Sequence, residues 1–308
     1  MRKLFYLFLS FSLLNIYSCD DGDIITVELE FEETFEACEG SSSLVLYKTK
    51  DDPSESLSLS INNLTIAQIL NVGDDNIYEN TITINTNNPF NYRTYSNTIL
   101  PDDLFCNDIP NSEVKIASDT ESTSGIAELR TVLTEDDDDD VTASLEDLNG
   151  NDDLNDDDTD GDGIPNFIDA DDDGDNILTK NENPDPNGDG DLSDAQDTDG
   201  DGTPDYLDAD DDGDGVDTRD EENDSQDNNP ANDITDIDGG ADYLNPMVAN
   251  TVPATAYREH TILKSYLVTL TLTNIDLDLI SYDVFEFGVL EASAIPTSFK
   301  NRKITPEF

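Results

Sequence analysis

The sequence predicts an all-β protein: a β-sandwich-like body built from N- and C-terminal strands, interrupted by a long, irregular acidic array. Three observations predict it. Residues 24–133 and 251–308 contain stretches in which apolar and polar side chains alternate with a period of two, the mark of a strand with one buried face. Residues 147–245 lack that alternation and repeat themselves instead. Residues 158–182 return at 197–221, an offset of 39, with 16 of 25 positions identical. Self-similarity at a fixed period marks an array of small structural units. Finally, the net charge of −59 falls mostly on residues 135–242, where Lys180 and Arg219 are the only bases.

The chain opens with Arg2 and Lys3 and a short apolar run over residues 4–16. The run is too short to span a membrane and fits a secretory signal. It ends at Ile16-Tyr17-Ser18-Cys19, which resembles the lipobox of bacterial lipoproteins. The resemblance implies that residues 1–18 are removed and that Cys19 carries lipid. Asp20, Asp21 and Asp23 resemble the acidic export tag of surface lipoproteins in Bacteroidota-like bacteria. The plainer alternative is an ordinary signal peptide followed by an unrelated cysteine.

Residues 19–133 read as the first β unit. Ile25, Val27, Leu29 and Phe31 alternate with Thr26, Glu28, Glu30 and Glu32. Leu57, Leu59 and Ile61 repeat the pattern, as do Ile82 and Ile84; residues 44–47 and 126–133 are further strand candidates. Clusters of Asn, Asp, Ser, Gly and Pro separate them, as in a sandwich of short strands. Helix evidence is confined to residues 64–70. Cys38 and Cys106 remain once Cys19 is assigned to lipid. Two thiols in an exported domain are expected to pair, closing a loop worth about 4 kcal/mol at most; two buried free thiols are the alternative.

Residues 134–146 contain an unbroken run of acids, 135–140, without loop spacing or glycine, and read as a solvated acidic linker. Residues 147–245 are different, because their acids are spaced. A twelve-residue calcium loop takes side-chain oxygens at positions 1, 3 and 5, turns at position 6, offers a backbone carbonyl at 7 and closes with an acid at 12. Asp158, Asp160, Asp162, Ile164 and Asp169 meet that rule, with Gly163 at the turn. So do Asp197, Asp199, Asp201, Thr203 and Asp208, and again Asp210, Asp212, Asp214, Val216 and Glu221. Asp171, Asp173, Asp175, Ile177 and Glu182 follow with Asn176 at the turn, a residue that tolerates the left-handed conformation.

Weaker loops flank these four. Asp185, Asn187 and Asp189 start well, but position 12 is Gln196, which leaves Asp194 as a possible closing acid. Asp147, Asn149 and Asn151 lead to Asp158 without a turn glycine, and Asp236, Asp238, Asp242 and Asn245 form a worn copy. A solvated linker is the bland alternative for the whole stretch, yet a linker has no reason to repeat its acids in register. A chain this acidic and this poor in apolar residues lacks a core of its own, so cation binding and folding are expected to be coupled.

EF-hands are excluded, since only Ala170 separates the close of one loop at Asp169 from the start of the next at Asp171. The arrangement resembles thrombospondin type 3 repeats, in the cysteine-free form common in bacterial surface proteins. That resemblance implies several bound Ca2+ ions and a structural or adhesive role outside the cell.

Residues 246–308 are strand-like again and are expected to pack on the first β unit. Val268, Leu270 and Leu272 alternate with threonines; Phe285, Phe287 and Val289 alternate with Glu286 and Gly288. His260 reads as a surface residue.

No nucleophile elbow, phosphate loop or zinc spacing occurs, so the chain reads as a non-enzyme. Its charge excludes nucleic acid as a partner. The leading expectation is a calcium-binding lipoprotein of the outer membrane, exposed at the cell surface, with an extracellular protein or glycan as partner. The alternative is a carbohydrate- or peptide-binding lipoprotein whose β body holds the ligand, with Phe90, Tyr92 and Tyr95 as candidate contacts. For the anchor, metabolic labelling with a fatty acid should mark the protein and lose its label in Cys19→Ala; label retained in that variant would overturn the assignment.

Overall fold

The computed structural model describes residues 29–107, 111–122, 124–277 and 280–308, with the side chains of residues 280 and 281 excepted. The signal segment, Cys19 and the acids after it lie outside the described residues. Ten strands form the body: β1 Thr34–Glu39, β2 Ser43–Asp51, β3 Ser54–Asn62, β4 Ile77–Thr83, β5 Phe90–Tyr95, β6 Ile116–Ser122, β7 Ile126–Asp136, β8 His260–Leu277, β9 Ile280–Leu290 and β10 Asn301–Ile304. One short helix, α1 Ile66–Ile69, follows β3; Thr65 caps it and shares a capping box with Gln68. Leu29 and Phe31 pack against the core from outside any strand, because strand pairing begins only at Thr34.

The strand order is β4-β7-β8-β9-β1-β2-β3-β5-β6, with β10 added to β8. The two expected layers are therefore one sheet, curled into a half-barrel. The join is the parallel pairing of β1 with β9, where Thr34 and Phe35 face Val289 and Leu290. Gly288 makes it possible: its φ is +113°, and a Cβ there would meet the Glu33 carbonyl. The Val289 N–H donates to that same carbonyl at 3.0 Å.

Period-two alternation decides which side chains enter the core. Leu57, Leu59, Ala127, Leu129, Val268, Leu270 and Leu272 all point inward and are buried. Phe35, Phe90 and Phe287 meet at its centre in tilted and edge-on contacts. Phe90 and Tyr95 are thus core residues, and Tyr92 packs half-buried against the same cluster, so the expected aromatic platform for a ligand is not presented. A disulfide joins Cys38 on β1 to Cys106.

Two expectations need correction. Residues 134–136 are the end of β7, paired with β8, so the acidic run does not start as linker. Glu135 forms a bidentate pair with Arg302 at 3.0 and 3.1 Å and lies 3.5 Å from Lys264, so β10 and β8 both hold it. His260 opens β8 and is buried, not on the surface.

Since β8 and β9 stand between β7 and β1, a chain ending at Leu133 would leave β4-β7 cut off from the rest of the sheet and expose Phe35 and Leu129. Such a chain should show no cooperative thermal transition; a sharp melt would show that the first strands fold alone.

Candidate metal centres

Between β7 and β8 the chain forms no long strand or helix. It proceeds as a series of loops, most of them ending in a short 3-10 turn, such as Asn166–Ile168, Thr179–Asn181, Asp205–Leu207 and Thr218–Asp220. Each loop is wound by its own acids. The first carboxylate accepts backbone N–H groups across the turn: Asp158 from Gly161 and Gly163, Asp197 from Gly200 and Gly202, Asp171 from Asp175 and Asn176, Asp210 from Gly215. The carboxylate at position 5 accepts the N–H of the residue at position 7, as Asp162 does from Ile164, Asp175 from Ile177, Asp201 from Thr203 and Asp214 from Val216. These bonds use one oxygen of that carboxylate and leave the other free to face inward. Position 6 needs positive φ, which Gly163, Gly202 and Gly215 supply, and Asn176 adopts it at +74°. Adjacent loops interlock: Cβ atoms on Gly174 and Gly213 would strike the side chains of Asp160 and Asp199.

The loops gather their carboxylates into clusters with oxygens within 4.8 Å of one another. Asp158, Asp160 and Asp162 form one, Asp197, Asp199 and Asp201 a second, and Asp210, Asp212 and Asp214 a third. These are the less buried sets. The fourth is buried: Asp173, Asp175 and Glu182 of one loop meet Asp211 of another, none more than 4% exposed. Both oxygens of Glu182 and of Asp211, and one each of Asp173 and Asp175, have no hydrogen-bond partner. A fifth cluster, Asp137, Asp139 and Glu146, lies in the stretch that reads as linker.

Not every expected ligand joins its loop's cluster. Asp171 is committed to backbone N–H groups, and Asp211 stands in the cluster instead. Asp169 accepts the Asp171 N–H, and its Oδ1 lies 2.6 Å from Nδ1 of His260. Burial disfavours the charged imidazole, yet the adjacent Asp169 carboxylate holds the His260 pKa above its ordinary value. Asp208 likewise accepts the Asp210 N–H. Glu221 has both oxygens buried and unpartnered, and burial and then the charges of Asp212 and Asp214 raise its carboxyl.

Asp185 takes the N–H groups of Gly188, Asp189 and Gly190, and Asn187 donates to Asp194, so that acid, not Gln196, faces the loop. Gln196 is bound to Asp205 and Thr198. In the loop from Asp147, Asn149 and Asn151 donate to Asp156 and Asp157, which ties up the carboxylates that would face a cation. In the worn copy, Asp242 is bound by Thr235 and Asn223.

Burial and mutual repulsion push these carboxyls upward. Asp173 and Glu182 are held well above the usual carboxylate range by burial first and then by Asp175 and other nearby acids, and Asp175 by burial and then by Asp171. Asp211 and Asp137 are pushed up to about 10, and Glu221 and Glu146 to about 8. The donor set is all oxygen, without Cys or His, which suits hard cations. The orphaned buried oxygens fit a cation at Asp173, Asp175, Glu182 and Asp211.

Residues 136–193 match the family model described as BamM C-terminal. The match begins at the last residue of β7 and takes in Asp137, Asp139, Glu146 and the loop from Asp171 to Glu182. No curated protein and no solved structure matches the chain.

The raised carboxyls set a pH dependence for the metal-free protein. Its folded state binds protons more tightly than the unfolded chain, so their contribution is complete at acid pH and is lost as pH rises, through about 8 for Glu146 and Glu221 and about 10 for Asp137 and Asp211. Thermal melts in chelator should fall from about pH 5 to about pH 8. A melting temperature that climbs over that interval would contradict the buried clusters.

Proposed function

We propose that this is a calcium-binding lipoprotein of the outer membrane in which bound ions stiffen an acidic arm carried on a β body. Its role is structural or adhesive, and its partner is an extracellular protein or glycan. The observation that carries the reading is the buried set Asp173, Asp175, Glu182 and Asp211. Four carboxylates there aim unpartnered oxygens at one another, and among the described residues none of them forms an ion pair with a Lys, Arg or His. Burying such charges is strongly unfavourable without a counter-charge.

Calcium fits the set better than other cations. It accepts six to eight oxygens in flexible geometry, whereas magnesium demands an octahedron and keeps its water. The regular loop spacing supports the likeness to thrombospondin type 3 repeats, with Asp158, Asp160, Asp162, Asp197, Asp199, Asp201, Asp210, Asp212, Asp214 and Glu221 holding further ions. The BamM C-terminal match supports an outer-membrane association, and the Ser18-Cys19 junction supports a lipid anchor.

Calorimetry of the full chain tests the reading. Several calcium ions should bind with dissociation constants on the order of 0.1–1 mM, as in other extracellular modules, and magnesium should compete poorly. Glu182→Gln should bind about one ion fewer. No heat at millimolar calcium, or a Glu182→Gln variant with the full count, would return the arm to the solvated-linker reading.

A further inference from the structure

We infer that Asp137, Asp139 and Glu146, completed by Asp172 from a later loop, form a divalent-cation site that fastens the acidic arm to the end of β7. The inference rests on the calcium-array reading and extends it to a stretch whose sequence reads as plain acid.

The backbone carries the first argument. Glu135, Asp137, Asp139, Val141 and Glu146 stand at positions 1, 3, 5, 7 and 12 of a loop, as Asp171, Asp173, Asp175, Ile177 and Glu182 do. The turns match as well. Position 4 has φ of +62° at Asp138 and +68° at Gly174; position 6 has +78° at Asp140 and +74° at Asn176. Val141 donates its N–H to Asp139 at 2.8 Å, as Ile177 does to Asp175 at 2.6 Å. Acids at positions 4 and 6, where a glycine or asparagine would signal a turn, conceal the loop in the sequence.

The side chains carry the second argument. None of Asp137, Asp139, Glu146 and Asp172 is more than 5% exposed. Both oxygens of Asp137 and of Asp172, and one each of Asp139 and Glu146, are buried without a partner. Asp172, 1% exposed with both oxygens unpartnered, is the acid of a later loop assigned here beside the three whose oxygens gather within 4.8 Å. It holds position 2 of its loop, the position from which Asp211 enters the cluster of Asp173, Asp175 and Glu182. The two sets share positions 3, 5 and 12 of one loop, and Asp172 stands at the position from which Asp211 completes the other.

The site's position gives it a purpose. Glu135, at position 1, is held by Arg302 and Lys264 and is not free to bind an ion. An ion here would be gripped on one side by residues continuous with β7 and on the other by the arm. Among the described residues, no Lys, Arg or His forms an ion pair with any of the four.

Calcium chloride is the probe, with calorimetry, thermal melts and hydrogen exchange on the full chain. Glu146→Gln and Asp172→Asn should each bind about one ion fewer than the parent. Each should melt higher than the parent in chelator, because a repelling charge is gone, and lower in saturating calcium. Calcium-dependent protection of residues 137–146 should disappear in both. If Glu182→Gln loses an ion while Glu146→Gln keeps the full count and the protection, this site is refuted and the array reading stands. If Asp172→Asn alone keeps the count, the cross-loop ligand is wrong. If none of the three loses an ion, the array reading falls with it.

Discussion

Repulsion among buried carboxylates is the constraint on which the arm depends. An ordinary domain is held by apolar burial, and residues 137–245 have little of it. What lies inside instead is a succession of acids with unpartnered oxygens, among them Asp173 and Glu182, which burial and the nearby acids raise in pKa. Such an interior is stable only with protons or cations in it. The backbone hydrogen bonds wind each loop, but they are local: they take both oxygens of Asp158, Asp171 and Asp197 and leave one oxygen of Asp162, Asp175 and Asp214 unpartnered. Cohesion between loops falls to carboxylates that cross from one to the next, as Asp211 does, and to whatever positive charge they share.

The arm is also fastened to the body by contacts that need no metal. His260, the first residue of β8, lies against Asp169. Arg258 donates from its backbone N–H and its guanidinium to Asn176, which donates in turn to the Ala256 carbonyl. Val252 and Ala254 run beside Asp220. The returning chain is thus laid along the loops before it enters the sheet. Arm and body meet at two places, the exit from β7 and this return, which fixes the arm's direction better than a single hinge would.

Much of this was legible in the sequence, for definable reasons. Leu57, Leu59, Val268, Leu270 and Leu272 announce buried strand faces because strand period and burial coincide there. The loops at Asp158, Asp171, Asp197 and Asp210 are legible because a turn glycine or asparagine and two-residue spacing are local requirements. The joining of two expected layers into one sheet was not legible. It depends on a parallel pairing between residues some 250 apart, allowed by Gly288, and no local pattern encodes it. The place of Asp211 at position 2 was hidden for a similar reason: in Asp-Asp-Asp, spacing cannot say which carboxylate turns to its own loop and which turns away. Asp137, Asp139 and Glu146 were hidden by excess, since acids at positions 4 and 6 erase the contrast that marks a loop. His260 was hidden because its partner lies in the arm.

The same logic says why the array stops where it does. A buried set needs positions 3, 5 and 12 of one loop and an acid from another. Asp212, Asp214 and Glu221 supply the first three. Counting one period on from Asp211 reaches Asn250, which brings no charge. Asp242 does approach Glu221, but its oxygens are already engaged by Thr235 and Asn223. This set is accordingly less enclosed than the buried sets at Asp137 and Asp173: Glu221 is buried, while Asp210 and Asp214 are only half-buried. Beyond it only the worn copy at Asp236 and Asp238 keeps the period, and the chain then lays Val252 and Ala254 along Asp220 on its way back to the sheet. Burial of charge is therefore uneven along the arm: the sets at Asp137 and Asp173 are buried, that at Asp210 is half-buried and those at Asp158 and Asp197 are more exposed, so the loops differ in how much they depend on a bound cation.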